Sequence, residues 1–295
     1  MSVLRTAATS PLPPTDPLLR RHFLIALASF IPLSRLHAAG QVAVGMVPDA
    51  GATQVSIDQK APLRDYLTSA LGEPVNLIIP TNYNATVEAL GNGSLDFAYL
   101  GALTYVKAHD RYSVTPLVQR AVDKQFHSLF ITQAGSSIRN LTDLRGKNFA
   151  FGDINSTSGH LIPYADLKKA GIDVDHDLHF RYTGSHAATA KVVEAGGADA
   201  GALDETVYNS MLAEKTLDGS KTRVFHTSAA FVDYVWVARK DVDPGRRNKF
   251  VSAFLSLQPG RDQAILDILR GKSFLRAHDA EYASVRSIAH ELKML

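Results

Sequence analysis

Three consecutive hydroxyl residues, Ser156, Thr157 and Ser158, stand between an apolar stretch ending at Phe151 and a segment with helical spacing. Each is a favoured N-cap residue. A helix start carries unpaired N–H groups and a partial positive charge. Hydroxyls beside those groups make an uncharged pocket for a tetrahedral oxyanion. The same residues also suit an ordinary capped polar turn. The chemistry they offer is holding an anion, which requires no bond breaking. His186 can donate to an oxyanion or begin a helix. Asp204 ends an apolar stretch and can cap a helix over Glu205 to Leu212. A carboxylate beside an anion is unfavourable unless it accepts a proton or an ammonium hydrogen from the ligand, and Asp204 can fill both roles. Tyr99 and Gly101 close another apolar stretch, where a phenol and the following N–H groups can reach an oxygen; a core tyrosine is the other reading. Gln54 and Asp233 are further candidates for the ligand's remaining end.

Alternating strands and helices must position these residues. Val42 to Val47, Val75 to Ile79 and Leu95 to Leu100 read as buried strands, with helices around Leu63 to Leu71 and Tyr83 to Leu90. The alternation resumes near Phe149, His179 to Tyr182, Ala200 to Leu203 and Arg223 to His226. Continuous apolar strands separated by helices predict an α/β fold with mainly parallel sheets. Residues 85–101 match residues 188–204 at a shift of 103, placing Gly101 and Asp204 at equivalent positions. Any α/β unit gives some such match; the alternative is two similar lobes facing one crevice. His127 to Thr132 and Val232 to Ala238 are expected to connect them, as a two-crossover hinge. The expected division is a leader over 1–39, one lobe from 40–130 plus 236–295, and a second over 131–235. Asp243-Pro244 starts a closing set of helices.

The 295 residues are ample for two medium lobes. With no cysteine, disulfides, thiolate nucleophiles, cysteine metal sites and lipoprotein anchors are excluded. A net charge of +2 gives no reason to expect nucleic acid. The leader carries Arg5, Arg20, Arg21 and Arg35 against Asp16, so the remainder is slightly acidic. A basic pair, a short apolar run and small residues up to Ala38-Ala39 read as an export signal, and Arg20-Arg21 resembles the twin-arginine pattern. The run is short for a membrane span. The histidines form no His-x-x-x-His pair, so no metal or cofactor is expected. Ser158, His186 and Asp204 have triad residue types, but no Gly-x-Ser-x-Gly elbow accompanies them, and an enzyme is not expected.

The chain resembles the periplasmic phosphonate/phosphite-binding proteins of ABC importers. The resemblance rests on Pro62-Leu-Arg-Asp-Tyr-Leu67, Leu95-Asp-Phe-Ala-Tyr-Leu-Gly-Ala-Leu-Thr-Tyr-Val106 and Leu141-Thr-Asp-Leu-Arg-Gly-Lys147. Ser156-Thr-Ser-Gly159, Gly184-Ser-His186 and Gly197-Ala-Asp-Ala-Gly-Ala-Leu-Asp204 complete it in family order. It implies a type II periplasmic-binding fold, a phosphonate, phosphite or phosphate-like ligand in the cleft, and delivery to an inner-membrane permease from the periplasm. Ser156, Thr157 and Ser158 are then the phosphonate-gripping turn, with Tyr99, Gly101, His186 and Asp204 around it. A monomer is expected. Leu100 stands where some members carry a second aromatic, which argues against an aminoethylphosphonate-type ligand. A sensory protein of the same fold, reporting to a membrane receptor kinase, is the alternative.

Overall fold

The computed structural model describes residues 40–48, 51 and 54–295. The expected leader and the Gln54 side chain lie outside the described residues. In chain order the first elements are β1 (Val42–Met46), α1 (Gln54–Asp58), α2 (Ala61–Leu71), β2 (Val75–Ile78), α3 (Tyr83–Gly91), β3 (Phe97–Leu100), α4 (Ala102–Tyr112) and β4 (Thr115–Arg120). There follow β5 (Ser128–Gln133), β6 (Asn148–Phe151), α5 (Ile162–Lys169), α6 (Val174–Asp177), β7 (His179–Tyr182), α7 (His186–Glu194), β8 (Ala200–Asp204), α8 (Glu205–Ala213) and β9 (Thr222–Thr227). The chain closes with β10 (Val235–Ala238), α9 (Pro244–Leu255), α10 (Gln263–Leu269), β11 (Phe274–Arg276) and α11 (Ala283–Glu291).

Two sheets result. One has the order β11-β4-β10-β3-β1-β2, the other β7-β6-β8-β5-β9. As expected, most strands in each run one way: β1, β2, β3 and β4 in the first sheet, and β6, β7, β8 and β9 in the second. β1 pairs parallel with β2 and β3, and β6 with β7 and β8. The strands flanking the crossings, β4, β5, β9 and β10, pair antiparallel. The physical reason is connectivity: β5 and β10 enter a sheet straight from a crossing and run against both neighbours, whereas β4, after α4, and β9, after α8, keep the common direction. In the second sheet, apolar side chains alternate between two cores. Leu129, Ile131, Ala150 and Leu203 face one, while Phe130, Phe149, Phe151, Ala200 and Ala202 face the other. Burial on both faces is why these strands read as continuous apolar runs.

The crossings fall between β4 and β5 and between β9 and β10, so β5 belongs wholly to the second sheet. The two crossing segments pair with each other: Phe126 and Phe231 exchange backbone hydrogen bonds of 2.9 and 3.0 Å. Asp233 N–H also donates to the Asp123 carbonyl, 3.0 Å.

The 103-residue internal match is structural. Asn82 caps α3 by accepting from Ala85 N–H, and Ser185 caps α7 by accepting from Ala188 N–H. Asp96 accepts from Ala43 N–H, and Asp199 from Asn148 N–H. Gly93 and Gly196 both take the left-handed conformation that glycine allows, φ 83° and 73°. Gly101 and Asp204 then occupy the N-cap positions of α4 and α8.

Candidate functional site

Ser156 caps a π-type turn over Thr157–Leu161 that runs into α5; its Oγ accepts from Gly159 N–H at 3.0 Å. Gly159 packs so closely that an added Cβ would lie 3.2 Å from Gly152 Cα and 3.0 Å from His186 Cε1. That contact brings the Ser-Thr-Ser-Gly and Gly-Ser-His segments together. Thr157 Oγ1 accepts from Leu103 N–H, 3.0 Å, in the first turn of α4. Ser158 Oγ is buried and has no partner among the described residues. Its carbonyl accepts from Ser128 Oγ. Ser128 in turn sits opposite Asp204 across the β5–β8 pairing.

Asp204 caps α8, with Oδ1 accepting from Thr206 N–H, Thr206 Oγ1 and Val207 N–H at 2.6, 2.7 and 2.9 Å. The expected cap therefore exists, and Oδ2 remains buried without a partner among the described residues. His186 is fully buried. Its Nδ1 accepts from Asp204 N–H at 3.2 Å. A backbone N–H can only donate, so the neutral ring carries its proton on Nε2, 3.2 Å from Tyr234 Oη.

The opposite wall is the end of β3 and the start of α4. Tyr99 is buried, stacked on Tyr234 at 5.0 Å and against Trp236 at 5.0 Å. Gly101 lets this wall approach: a Cβ there would lie 3.2 Å from Thr157 Oγ1 and 3.4 Å from Asp233 Oδ1. Because Gly101 offers no capping side chain, Asp233 does so instead, with Oδ1 accepting from Ala102 N–H at 2.9 Å. Asp233 Oδ2 is buried without a partner among the described residues. Burial drives the Asp233 carboxyl up to about 8; the Ala102 N–H and the Thr157 hydroxyl oppose that rise, while Asp204 and Asp123 add to it.

Tyr99, Gly101, Thr157, Ser158, His186, Asp204 and Asp233 thus lie in one connected neighbourhood, with Ser156 holding the turn from behind. His160 is buried. Its Nδ1 contacts the Ile154 carbonyl at 2.7 Å and its Nε2 lies 3.0 Å from Tyr182 Oη. Burial pushes its imidazole down to about 4, so it is neutral and structural at neutral pH.

Several neighbours escape the sequence reading. Arg120 ends β4 fully buried and grips Asp123 through Nε at 2.9 Å and Nη2 at 2.5 Å. It lies over the rings of Tyr99, Phe126 and Tyr234 at 5.8, 5.5 and 5.1 Å. It also reaches Thr206 Oγ1, 3.5 Å, beside the Asp204 cap. The signal for it was an arginine closing an apolar strand with an acid three residues on. Tyr83 approaches His186 edge-on at 6.5 Å, and Lys107 donates to Asn155 at 2.7 Å. No group of three metal-ligating side chains occurs among the described residues, and none of their helices is long and apolar enough to cross a membrane.

Two sheets joined by paired crossings, with capped helix starts facing one another, define a two-lobed binding protein of the type II periplasmic class. The chain belongs to the phosphonate periplasmic substrate-binding proteins of ABC transporters, whose sequence pattern matches residues 44–282. It is 30% identical over 275 residues to a probable ABC transporter phosphite binding protein, PhnD1, of Prochlorococcus marinus, covering 85% of this chain and 90% of that one. The structure of that protein in complex with methylphosphonate superposes with a TM-score of 0.81 over 87% of this chain and 99% of its own. A phosphate-import protein of Mycolicibacterium smegmatis is 28% identical over 68% of this chain and 67% of its own. These relatives are substrate-binding proteins of transporters, not enzymes.

Proposed function

We propose that this chain is exported to the periplasm, captures a small phosphonate- or phosphite-type oxyanion between its lobes, and presents it to an inner-membrane ABC permease. The lobes hinge at residues 121–127 and 228–234. The ligand docks on the Ser156–Ser158 turn, and closure brings Tyr99 and the Gly101 start of α4 over it. Asp204 and His186 line the second lobe's side. One observation carries this reading: the hydroxyl turn and the N-terminus of α4 converge on buried, unpartnered oxygens of Ser158, Asp204 and Asp233. Buried polar atoms normally find partners, and an oxyanion with a hydroxyl supplies them. Closure also explains why Leu103 N–H already meets Thr157 across the lobes. The methylphosphonate complex of the Prochlorococcus protein supports this ligand class.

Calorimetric titration of the purified protein with methylphosphonate, phosphite, phosphate and sulfate tests the reading. Saturable binding of methylphosphonate or phosphite is expected, with sulfate weaker. No heat and no melting shift with any of the four would overturn it.

A further inference from the structure

Asp204 and Asp233 are built alike and stand on opposite sides of the cleft. Both are buried, at 0% and 1% exposure. Each commits Oδ1 to a helix N-terminus, Asp204 to α8 and Asp233 to α4. Each keeps Oδ2 buried without a partner among the described residues. An unpaired buried carboxyl oxygen is costly, and a bare anion beside it adds repulsion. A ligand that carries hydrogen relieves both. We propose that Asp233 is a second ligand-binding residue, acting with Asp204 as a hydrogen-matching pair: Asp233 meets a bare ligand oxygen, and Asp204 takes the P–OH and so rejects a sulfonate of the same shape. This rests on the oxyanion reading of the same cleft and deepens it.

The surroundings divide the labour. Asp123 faces Asp233 from the crossing segment, Asp204 from the start of α8 and Tyr282 from the turn before α11, while Tyr99, His186 and Arg120 meet the adjoining Tyr234. Arg120 is committed to Asp123 by two side-chain hydrogen bonds. Burial with two neighbouring acids keeps a proton on Asp233 up to about pH 8. Its free oxygen is therefore a donor at neutral pH, suited to a bare ligand oxygen. Asp204 Oδ1 already accepts from three donors, and its Oδ2 is an acceptor suited to the ligand P–OH. A hydrogen phosphonate offers one of each. A sulfonate offers three bare oxygens and meets Asp204 oxygen against oxygen.

The test is calorimetry of methylphosphonate and methanesulfonate with the wild type, Asp204→Asn and Asp233→Asn. Asparagine caps helices as well as aspartate does, so both caps survive. The wild type is expected to prefer methylphosphonate on the order of 10²-fold or more, since a site built for a hydroxyl rejects an analogue lacking it. Asp204→Asn, which places an N–H where Oδ2 stood, should shrink that preference to below about tenfold. Between about pH 8 and pH 9.5 the ratio of wild-type to Asp233→Asn affinity for methylphosphonate should fall about tenfold, because only the wild type loses a proton there. The ligand's own ionisation cancels in that ratio. Equal wild-type affinity for the two ligands, or a ratio that does not change with pH, would overturn the pair. Absence of methylphosphonate binding to the wild type at every pH overturns the parent reading instead, and the pair with it.

Discussion

Gly159 has backbone on one side and the His186 ring on the other, each within about 3 Å of where a Cβ would sit. Gly159→Ala must therefore push the hydroxyl turn away from Gly152, which donates to the Gly159 carbonyl at 2.8 Å. Overpacking of this kind costs about 1–3 kcal/mol. The expected outcome is a lower urea midpoint and a larger loss of phosphonate affinity than at an exposed control site. An unchanged affinity would place the ligand elsewhere. Thr157 and Ser158 separate two roles in the same turn. Thr157 Oγ1 already joins the lobes through Leu103, whereas Ser158 Oγ has no protein partner. Ser158→Ala should cost little stability without ligand yet weaken binding by about 1–3 kcal/mol. Thr157→Ala should weaken both binding and closure. Calorimetry paired with small-angle scattering distinguishes them: only Thr157→Ala should leave a more open ligand-free protein.

The crossing elements carry the site's least obvious chemistry. Arg120 and Asp123 are both 0% exposed and held by two side-chain hydrogen bonds, and the same arginine donates to the Leu269 and Arg270 carbonyls. Removing one member of a buried ion pair strands the other, at about 3–5 kcal/mol. Arg120→Met should accordingly unfold at lower urea, and adding Asp123→Asn should recover part of the loss; no recovery would mean that the arginine matters through its ring and carbonyl contacts alone. This pair also marks where sequence reading stops. Ser156–Gly159 and His186 were legible because caps and glycine contacts are local patterns. Gly101 and Asp204 were legible through the repeat, since both follow a strand with the same offset. β4 was missed because Pro116, Gln119 and Arg120 interrupt its apolar pattern, although its far end is buried and Gln119 is bonded to Glu281 and Tyr282 of the turn before α11. The direction of β5 and β10 was not legible, because it is decided by where the chain crosses and not by strand composition. Asp233 was visible only as a weak candidate: its partner Ala102 lies 131 residues away.

At the scale of the whole molecule, the lobes meet through Leu161 and Ile162, which pack into the first lobe's core, and through polar contacts. They include Leu103 with Thr157, Lys107 with Asn155, His186 with Tyr234 and Arg120 with Thr206. A ligand that adds hydrogen bonds at the same seam raises the closed state's stability by mass action. Asp233 sits at the middle of that seam, and its titration belongs to the fold as much as to the ligand. Its carboxyl is raised from the ordinary aspartate range, near 3.8, to about 8 by burial. Between those values the folded protein holds a proton that the unfolded chain has released. Its contribution to stability is therefore full below about pH 4 and is lost progressively as pH rises towards 8. The slope in that window is about 1.4 kcal/mol per pH unit for one such group. Asp123, also raised by burial, acts in the same direction. Urea unfolding of the ligand-free protein at several pH values from about 6.5 to 8, above the range in which the depressed His160 acts in the opposite direction, should show stability falling with pH, and Asp233→Asn should flatten the fall by about one proton's worth. Parallel slopes for the two proteins would mean that Asp233 is ionised in the native state. The wild type should also gain more from methylphosphonate at pH 6 than at pH 9, because at pH 9 the same acid has lost the hydrogen it shares with the ligand.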